Sequence, residues 1–321
     1  MRQTLTIGLN SFKELVRQPI FLILLMAASL LIFFLSNTYH FALGQDPKMV
    51  KDSGLAILFT VGLFAAVISS ASSVSREIRT GTALAVLSKP VGRAQFILGK
   101  YLGVSGALAT MAFALMIPLL LASRIAFDVY GDPDMRAIGV FYGLFFASFL
   151  FSGFSNYFLN RNFVLDAVFC LIGAMLVAFV IINFFDSHGD FQTFGTGVDW
   201  RLFPAALLIF FALVLLAGVA IVCSTHLDLA PSLAICMVVF LLGLMSDYLF
   251  GRHATGEDGA LWAKVAYAIS PNWQLFWLAD ALEEQKSIPL SYVLNATLYL
   301  FSYLGALLAL SLLFFQDREL K

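Results

Sequence analysis

The sequence predicts an all-α protein that crosses a membrane several times, and both its composition and the spacing of its apolar residues favour this fold class. Charged residues make up 12% of the 321 residues and hydrophobic residues 60%, whereas a soluble domain has about 25% charged residues. With 33 phenylalanines, the chain has too few polar groups to cover a soluble fold. The net charge of −1 indicates neither a nucleic-acid partner nor an acidic substrate.

Eight apolar runs are long enough to cross a bilayer core, which takes about 20 mainly apolar residues. We expect spans at residues 20–36, 54–74, 99–121, 137–158, 163–185, 203–223, 232–250 and 292–315. Together they make one transmembrane domain over residues 1–321. Cys170, Cys223 and Cys236 lie inside these runs and are predicted to pack as small apolar residues, not to form a disulfide or a metal cluster.

Residues 1–18 are predicted to form an amphipathic helix that lies in the membrane interface. One helical stripe is apolar and holds Leu5, Leu9, Phe12 and Val16. The polar residues off this stripe are Arg2, Asn10, Lys13 and Arg17, a pattern typical of interfacial helices. Pro19 ends the helix and turns the chain into the first span. A plain polar extension of the first transmembrane helix is the alternative.

The distribution of basic residues predicts that both termini are cytoplasmic. Eight spans place the termini on one side, and 11 of the 19 Lys and Arg residues but only 6 of the 20 Asp and Glu residues fall there. Cytoplasmic loops carry such an excess of Lys and Arg. The tryptophans all fall on the opposite side, as expected for an interfacial belt; they are Trp200, Trp262, Trp273 and Trp277.

The stretch from Ser75 to Lys100 is unusually polar for this chain, with five basic residues and one acid, Glu77. Ser88-Lys89-Pro90 breaks the helix that leaves the second span, and Val91-Gly92-Arg93 restarts a helix that enters the third. Residues 75–98 are therefore predicted to be a cytoplasmic helical hairpin that offers basic side chains and Glu77 to a partner. A loop whose charges only orient the protein is the alternative.

Several residues of this hairpin match a known pattern: Glu77, Gly81-Thr82, Leu87-Ser88, Pro90-Val91, Arg93 and Gly99-Lys100. Weaker matches are Ser270-Pro271-Asn272, Leu275-Phe276, Phe315 and the tail Asp317-Arg318-Glu319-Leu320. In these residues the chain resembles the permease subunits of ABC-type exporters, a superfamily that includes the subunits linked to multicopper-enzyme maturation and to gliding motility. The core of that family is often described with six spans, two fewer than the runs found here.

The resemblance implies a permease subunit of an ABC exporter, multi-pass in a bacterial cytoplasmic membrane. In that family the hairpin docks on a separate ATPase subunit and transmits ATP-driven closure to the spans. The coupling residues implied here are Arg76, Glu77, Arg79, Gly81, Thr82, Ser88, Pro90 and Arg93. The resemblance further implies a dimer with a second permease subunit, either identical or related. ATPase activity is expected only in the separate subunit, and no cofactor or substrate is indicated.

An ATP-independent secondary carrier or channel is the alternative function. Such proteins hold ionisable residues near mid-bilayer and contain broken helices. The best candidate residue is Asp166, which lies in the first turns of the fifth span and is predicted to pair with Arg161 and not with a substrate. Arg124 and Asp247 lie at the external ends of spans and are predicted to be solvated or to snorkel towards the membrane surface.

A membrane-embedded enzyme is a third class, and it would need a polar catalytic cluster for which the sequence gives no sign. The histidines are spread over different loops with no spacing typical of a metal site; they are His40, His188, His226 and His253.

Residues 251–291 are predicted to form an external segment that lies along the membrane surface or re-enters the membrane. Ser270 can cap a helix that begins at Pro271. Its apolar stripe would hold Trp273, Phe276, Trp277 and Leu282. The segment would then act either as an interfacial anchor or as a lid.

The predicted orientation can be tested by cysteine labelling in intact cells. In a background without the three native cysteines, we expect an impermeant maleimide to label Ser287→Cys but not Ser88→Cys, because the 251–291 segment is external and the hairpin cytoplasmic. Labelling of Ser88→Cys alone would mean that the orientation is inverted.

Overall fold

The computed structural model describes residues 2–38, 46–79, 92–125, 134–186, 189–254, 260–279 and 287–316, and the statements below concern those residues. They are almost entirely helical, with a single isolated antiparallel bridge between Phe185 and Phe191. The helices are α1 Arg2–Val16, α2 Pro19–Ser36, α3 Asp46–Arg79, α4 Arg93–Ile125, α5 Met135–Leu159, α6 Phe163–Phe184, α7 Leu202–Ser224, α8 Leu229–Leu244, α9 Leu261–Ile269 and α10 Leu290–Gln316.

Helices α2 to α7 and α10 are each long and apolar enough to cross a membrane. Helix α8 is followed, at a bend of 54°, by a π-helical turn Asp247–Gly251 and a short turn Arg252–Ala254, so this bent pair counts as one further span at most. The predicted all-helical membrane fold is confirmed at this level. Helices α3 and α4 extend well beyond the predicted spans 54–74 and 99–121, because their polar ends continue the same helices.

The stretch predicted as a span at 232–250 is not one straight helix: α8 ends at Leu244, and other parts of the chain contact it where the bend begins. A Cβ atom on Gly243 would lie 2.2 Å from the Pro271 carbonyl oxygen and 2.4 Å from Nε1 of Trp273. The Trp273 indole donates to the Val239 carbonyl at 3.4 Å, and the Gln274 amide donates to the Leu244 carbonyl at 2.9 Å. Side chains that bond to helix carbonyls in this way produce kinks.

The centre of the bundle is helix α7, the most buried of the spans, which packs against α3, α4, α8 and α10. Helices α5 and α6 form an antiparallel hairpin that joins the bundle through α6 and through Phe141 of α5, which stacks on Phe33 of α2. The rest of α5 leaves large side chains such as Leu150 and Phe151 exposed. Cys236 lies in the core and Cys223 packs against it, as predicted, and Cys170 is half-buried.

The turn between α5 and α6 is set by local side-chain bonds. Asn160 adopts a left-handed conformation with φ 52°, and the Asn162 side chain caps α6 by accepting from the Leu165 amide at 3.0 Å. Asp166 accepts from the Ser155 hydroxyl at 2.5 Å, and its carboxylate lies 3.5 Å from Nε of Arg161. The predicted pairing of Asp166 with Arg161 is therefore confirmed.

Helix α1 is held against α4 by glycines on both helices. A Cβ atom on Gly103 would lie 2.6 Å from Cβ of Ser11 and 2.7 Å from the Gly8 carbonyl oxygen, so only glycine permits this approach. Of the predicted apolar stripe, Leu5 and Leu9 are exposed outside the bundle, whereas Val16 is buried. The helix runs from Arg2 to Val16 and ends before Pro19, as the sequence indicates.

We expect Gly103→Ala to destabilise the protein by about 1–3 kcal/mol, because the added methyl group overpacks the contact between α1 and α4. Gly143→Ala in α5 is the matched control, since a Cβ atom there meets nothing within 4 Å. Alanine should gain about 0.5–1 kcal/mol of helix propensity at that position. Thermal unfolding in detergent measures both effects, and equal stability of the two variants would contradict the packing described here.

Candidate functional site

Only part of the predicted hairpin lies in the described residues. Arg76 is exposed, Glu77 is half-buried, and Arg93 begins α4 with an exposed side chain. Arg79 is the last residue of α3. The other predicted coupling residues lie outside the described residues, as do residues 80–91 as a whole; they are Gly81, Thr82, Ser88 and Pro90.

Glu77, in the last turn of α3, forms an ion pair with Lys100, in the third turn of α4. The Lys100 ammonium donates to Oε1 of Glu77, and the Lys100 side chain is only 3% exposed while that of Glu77 is 21% exposed. The ammonium also lies 5.8 Å from the centroid of the Phe96 ring. A buried ammonium is costly unless it is paired, so this contact fixes α3 and α4 to each other where they flank residues 80–91.

Arg93 and Phe96 connect this pair to the last helix. The Arg93 guanidinium lies 5.9 Å from the centroid of the Phe315 ring, and its Nη1 donates to the Phe315 carbonyl at 3.4 Å. Phe96 and Phe315 stack with centroids 5.6 Å apart, and both are fully buried. Arginine at the end of a helix also satisfies carbonyls that lack a helical partner. The last turn of α10 is therefore fixed to the first turn of α4.

The end of α7 reaches the same place through His226. Its Nε2 lies 3.0 Å from the Phe314 carbonyl oxygen, and the two rings meet edge to face at 5.7 Å. We call the region formed by Glu77, Arg93, Lys100, His226 and Phe315 the Lys100 end of the bundle. Helix α1 lies beside it, because Gly99 packs against Ile7 and Thr4.

The opposite end of the bundle, which we call the Asp199 end, is formed by Lys51, Arg124, Asp199 and Arg201. The Asp199 carboxylate accepts from Lys51 at 2.6 Å and from Nε and Nη2 of Arg201 at 2.8 Å each. Burial alone would raise the pKa of the Asp199 carboxyl, but the bonds from Arg201 and Lys51 outweigh it and lower the pKa to about 2. This carboxylate is therefore ionised throughout the physiological range.

Arg124 is not solvated at this end, and that prediction is wrong. Its side chain is 8% exposed, Nη2 donates to the Phe185 carbonyl at 2.7 Å, and Nη1 lies 3.7 Å from Asp134. Residues after α6 pack against the Arg124 side chain. A Cβ atom placed on Gly197 would lie 3.6 Å from Cγ of Arg124. No local sequence pattern indicates the bond to Phe185, because it joins residues 61 positions apart in the chain.

The segment after α8 forms a second polar network around Asp247, which is half-buried. Asp247 accepts from the Tyr267 hydroxyl at 2.7 Å and from the Asn272 amide at 3.1 Å, and the Asn272 backbone N–H donates to the Tyr299 hydroxyl at 3.0 Å. The hydrogen bond to Asp247 raises the pKa of Tyr267. These contacts hold α8, α9 and α10 together.

The helix predicted to begin at Pro271 is wrong. Among the described residues 270–278, the chain instead makes a short 3₁₀ turn, Trp273–Phe276, whose cap is Asn272, and Ser270 follows the end of α9. The reason is that Trp273 and Phe276 turn into the bundle and are almost fully buried, which ends any regular stripe along the surface. Leu282 lies outside the described residues.

The described residues contain no cluster of three His, Cys, Asp or Glu side chains that could bind a metal ion. No family model matches this chain, and no curated protein matches it significantly. The function proposed below therefore rests on the residues of the chain itself.

Proposed function

We propose that this chain is the transmembrane permease subunit of an ABC exporter, and that the Lys100 end is the base on which a separate ATPase subunit acts. One observation supports this most directly: α3 and α4, which flank residues 80–91, are tied together by Glu77 and Lys100, and α4 is tied to α10 by Arg93 and Phe96. A push on residues 80–91 is then shared by three spans.

Eight membrane crossings are the topology that agrees best with the contacts. Helices α3, α4, α7 and α10 all meet at the Lys100 end, and α7 enters it at His226 while α10 enters it at Phe315. The chain between them must return to the opposite end before α10 begins, and the bent pair after Leu229 provides that crossing. Both termini then lie on one side, which is cytoplasmic by the excess of Lys and Arg.

Helix α1 fits an interfacial position on that side. It packs on α4 next to Lys100 through Gly8 and Gly103, and its exposed Leu5 and Leu9 are free to enter the membrane beside the bundle. An amphipathic helix with one apolar face outward binds the boundary between headgroups and acyl chains.

Two observations also fit the alternative, a secondary carrier: helix α8 is bent, and an ion pair is buried at Glu77 and Lys100. Carriers place broken helices and charges around a site at mid-bilayer. Here the bend is filled by Trp273 and Gln274, and the ion pair lies at the end of the bundle. The exporter is therefore favoured, with a dimer of permease subunits and two ATPase subunits as the implied assembly.

The proposal predicts that the tagged full-length chain, purified from its native membranes, brings with it an Mg²⁺-dependent ATPase. Gly81→Val should lower the recovered ATPase activity about tenfold or more, because the added side chain would deny close backbone approach at the docking site. Arg76→Ala should also lower the recovered ATPase activity. The chain freed of its partner should have no nucleotide affinity.

Lys48→Ala is the control variant. It lies on the same helix as Arg76 but about 42 Å away along the axis, beyond the thickness of a bilayer core of about 30 Å, so the recovered ATPase should equal wild type. If Gly81→Val recovers as much ATPase activity as wild type, residues 75–98 serve only to orient the protein in the membrane. Micromolar binding of ATP to the isolated chain would contradict the two-subunit proposal.

A further inference from the structure

A groove of about 330 Å³ opens on the outside of the bundle between α4, α6 and α7. Its walls include Ala112 and Phe113 of α4, Leu176 of α6 and Phe203 of α7. The side chains of Phe113, Leu176 and Phe203 are 39–57% exposed, so the groove faces the surroundings of the bundle and not its core. In membrane-length apolar helices those surroundings are lipid.

The lining of the groove accepts only an apolar ligand. All its side chains are Ala, Ile, Leu, Met, Phe or Trp, and the indole N–H of Trp200 is the one polar side-chain group among them. Burying an amide or hydroxyl without a partner costs about 2–7 kcal/mol, which disfavours polar solutes. The volume is within the range of about 300–1,000 Å³ that is usual for ligand sites. A flexible alkyl chain is the ligand that this shape and chemistry fit.

One end of the groove is closed by Trp200, whose ring meets that of Phe179 edge to face at 6.2 Å. Arg201 follows directly, and its side chain is 30% exposed. Asp199 occupies its Nε and Nη2, which leaves Nη1 without a partner among the described residues. A guanidinium has five N–H donors and can bind a phosphate through two parallel N–H···O bonds. The apolar groove therefore ends at the Trp200 indole, and the next residue in the chain is an arginine whose Nη1 has no partner among the described residues.

We propose that this groove binds an acyl chain of a membrane phospholipid, with the lipid phosphate at Arg201. The alkyl chain fills the space between α4, α6 and α7, Trp200 lies at the level of the headgroup, where tryptophan is enriched in membrane proteins, and Nη1 of Arg201 donates to the phosphate. The site lies at the Asp199 end, opposite the proposed ATPase contact, and its occupancy by lipid does not depend on the transport function.

The test is native mass spectrometry of the delipidated full-length chain in detergent, titrated with a palmitoyl-oleoyl phosphatidylglycerol. We expect one lipid per chain above the non-specific level. Ala112→Phe and Leu176→Trp, which fill the groove from opposite walls, should each weaken binding about tenfold or more, since they displace several methylene groups. Ala147→Phe, on the exposed surface of α5, is the matched control and should bind lipid as wild type does.

A second arm separates the phosphate contact from the chain contact. Arg201→Ala should weaken binding of the phospholipid but leave binding of the diacylglycerol with the same acyl chains unchanged, because that lipid has no phosphate for Arg201 to contact. No bound lipid in the wild type, or equal binding by the filled variants and Ala147→Phe, would overturn the proposal. If the wild-type chain is a dimer in detergent and Ala112→Phe makes it a monomer, the proposal is also overturned, because the groove would then bind a second copy of the chain.

Discussion

The buried ion pair between Lys100 and Glu77 is the contact on which the arrangement of the Lys100 end depends. The ammonium is 3% exposed, and a charge buried to this degree needs a partner because its desolvation costs several kcal/mol. The partner is supplied by α3, so the two helices can pack only with these residues opposite each other. Phe96, one turn before Lys100, then stacks on Phe315, and the position of α10 follows from that of α4.

The ion pair with Lys100 gives Glu77 a structural role within the bundle. From the sequence it is the one carboxylate of a basic hairpin and is predicted to contact an ATPase, but in the fold one of its oxygens accepts from Lys100. Its removal would therefore affect the stability of the bundle as well as any interface. Gly81→Val and Arg76→Ala are the better probes of docking, because these substitutions leave both members of the Glu77–Lys100 pair in place.

The fold class could be predicted because hydrocarbon permits few structures: long apolar runs must be helices. The pairing of Asp166 with Arg161 could be predicted because the two residues are close in sequence. Other features depend on distant residues. The bend after Leu244 requires Trp273 and Gln274, the burial of Arg124 requires the turn near Gly197, and the partner of Glu77 is 23 residues away, across residues 80–91. No local pattern specifies how two helices are rotated against each other.

The most direct test of the Lys100 end is a charge exchange measured by thermal unfolding in detergent. Glu77→Ala should lower the free energy of unfolding by about 3–5 kcal/mol, because it leaves the buried Lys100 charge unpaired. Lys100→Ala should alter the free energy of unfolding as well. The exchange Glu77→Lys with Lys100→Glu should recover most of that loss. Arg161→Ala, which breaks the pair of a 64% exposed arginine with Asp166, is the control and should cost less than about 1 kcal/mol. An exchanged protein as unstable as Glu77→Ala would contradict the account.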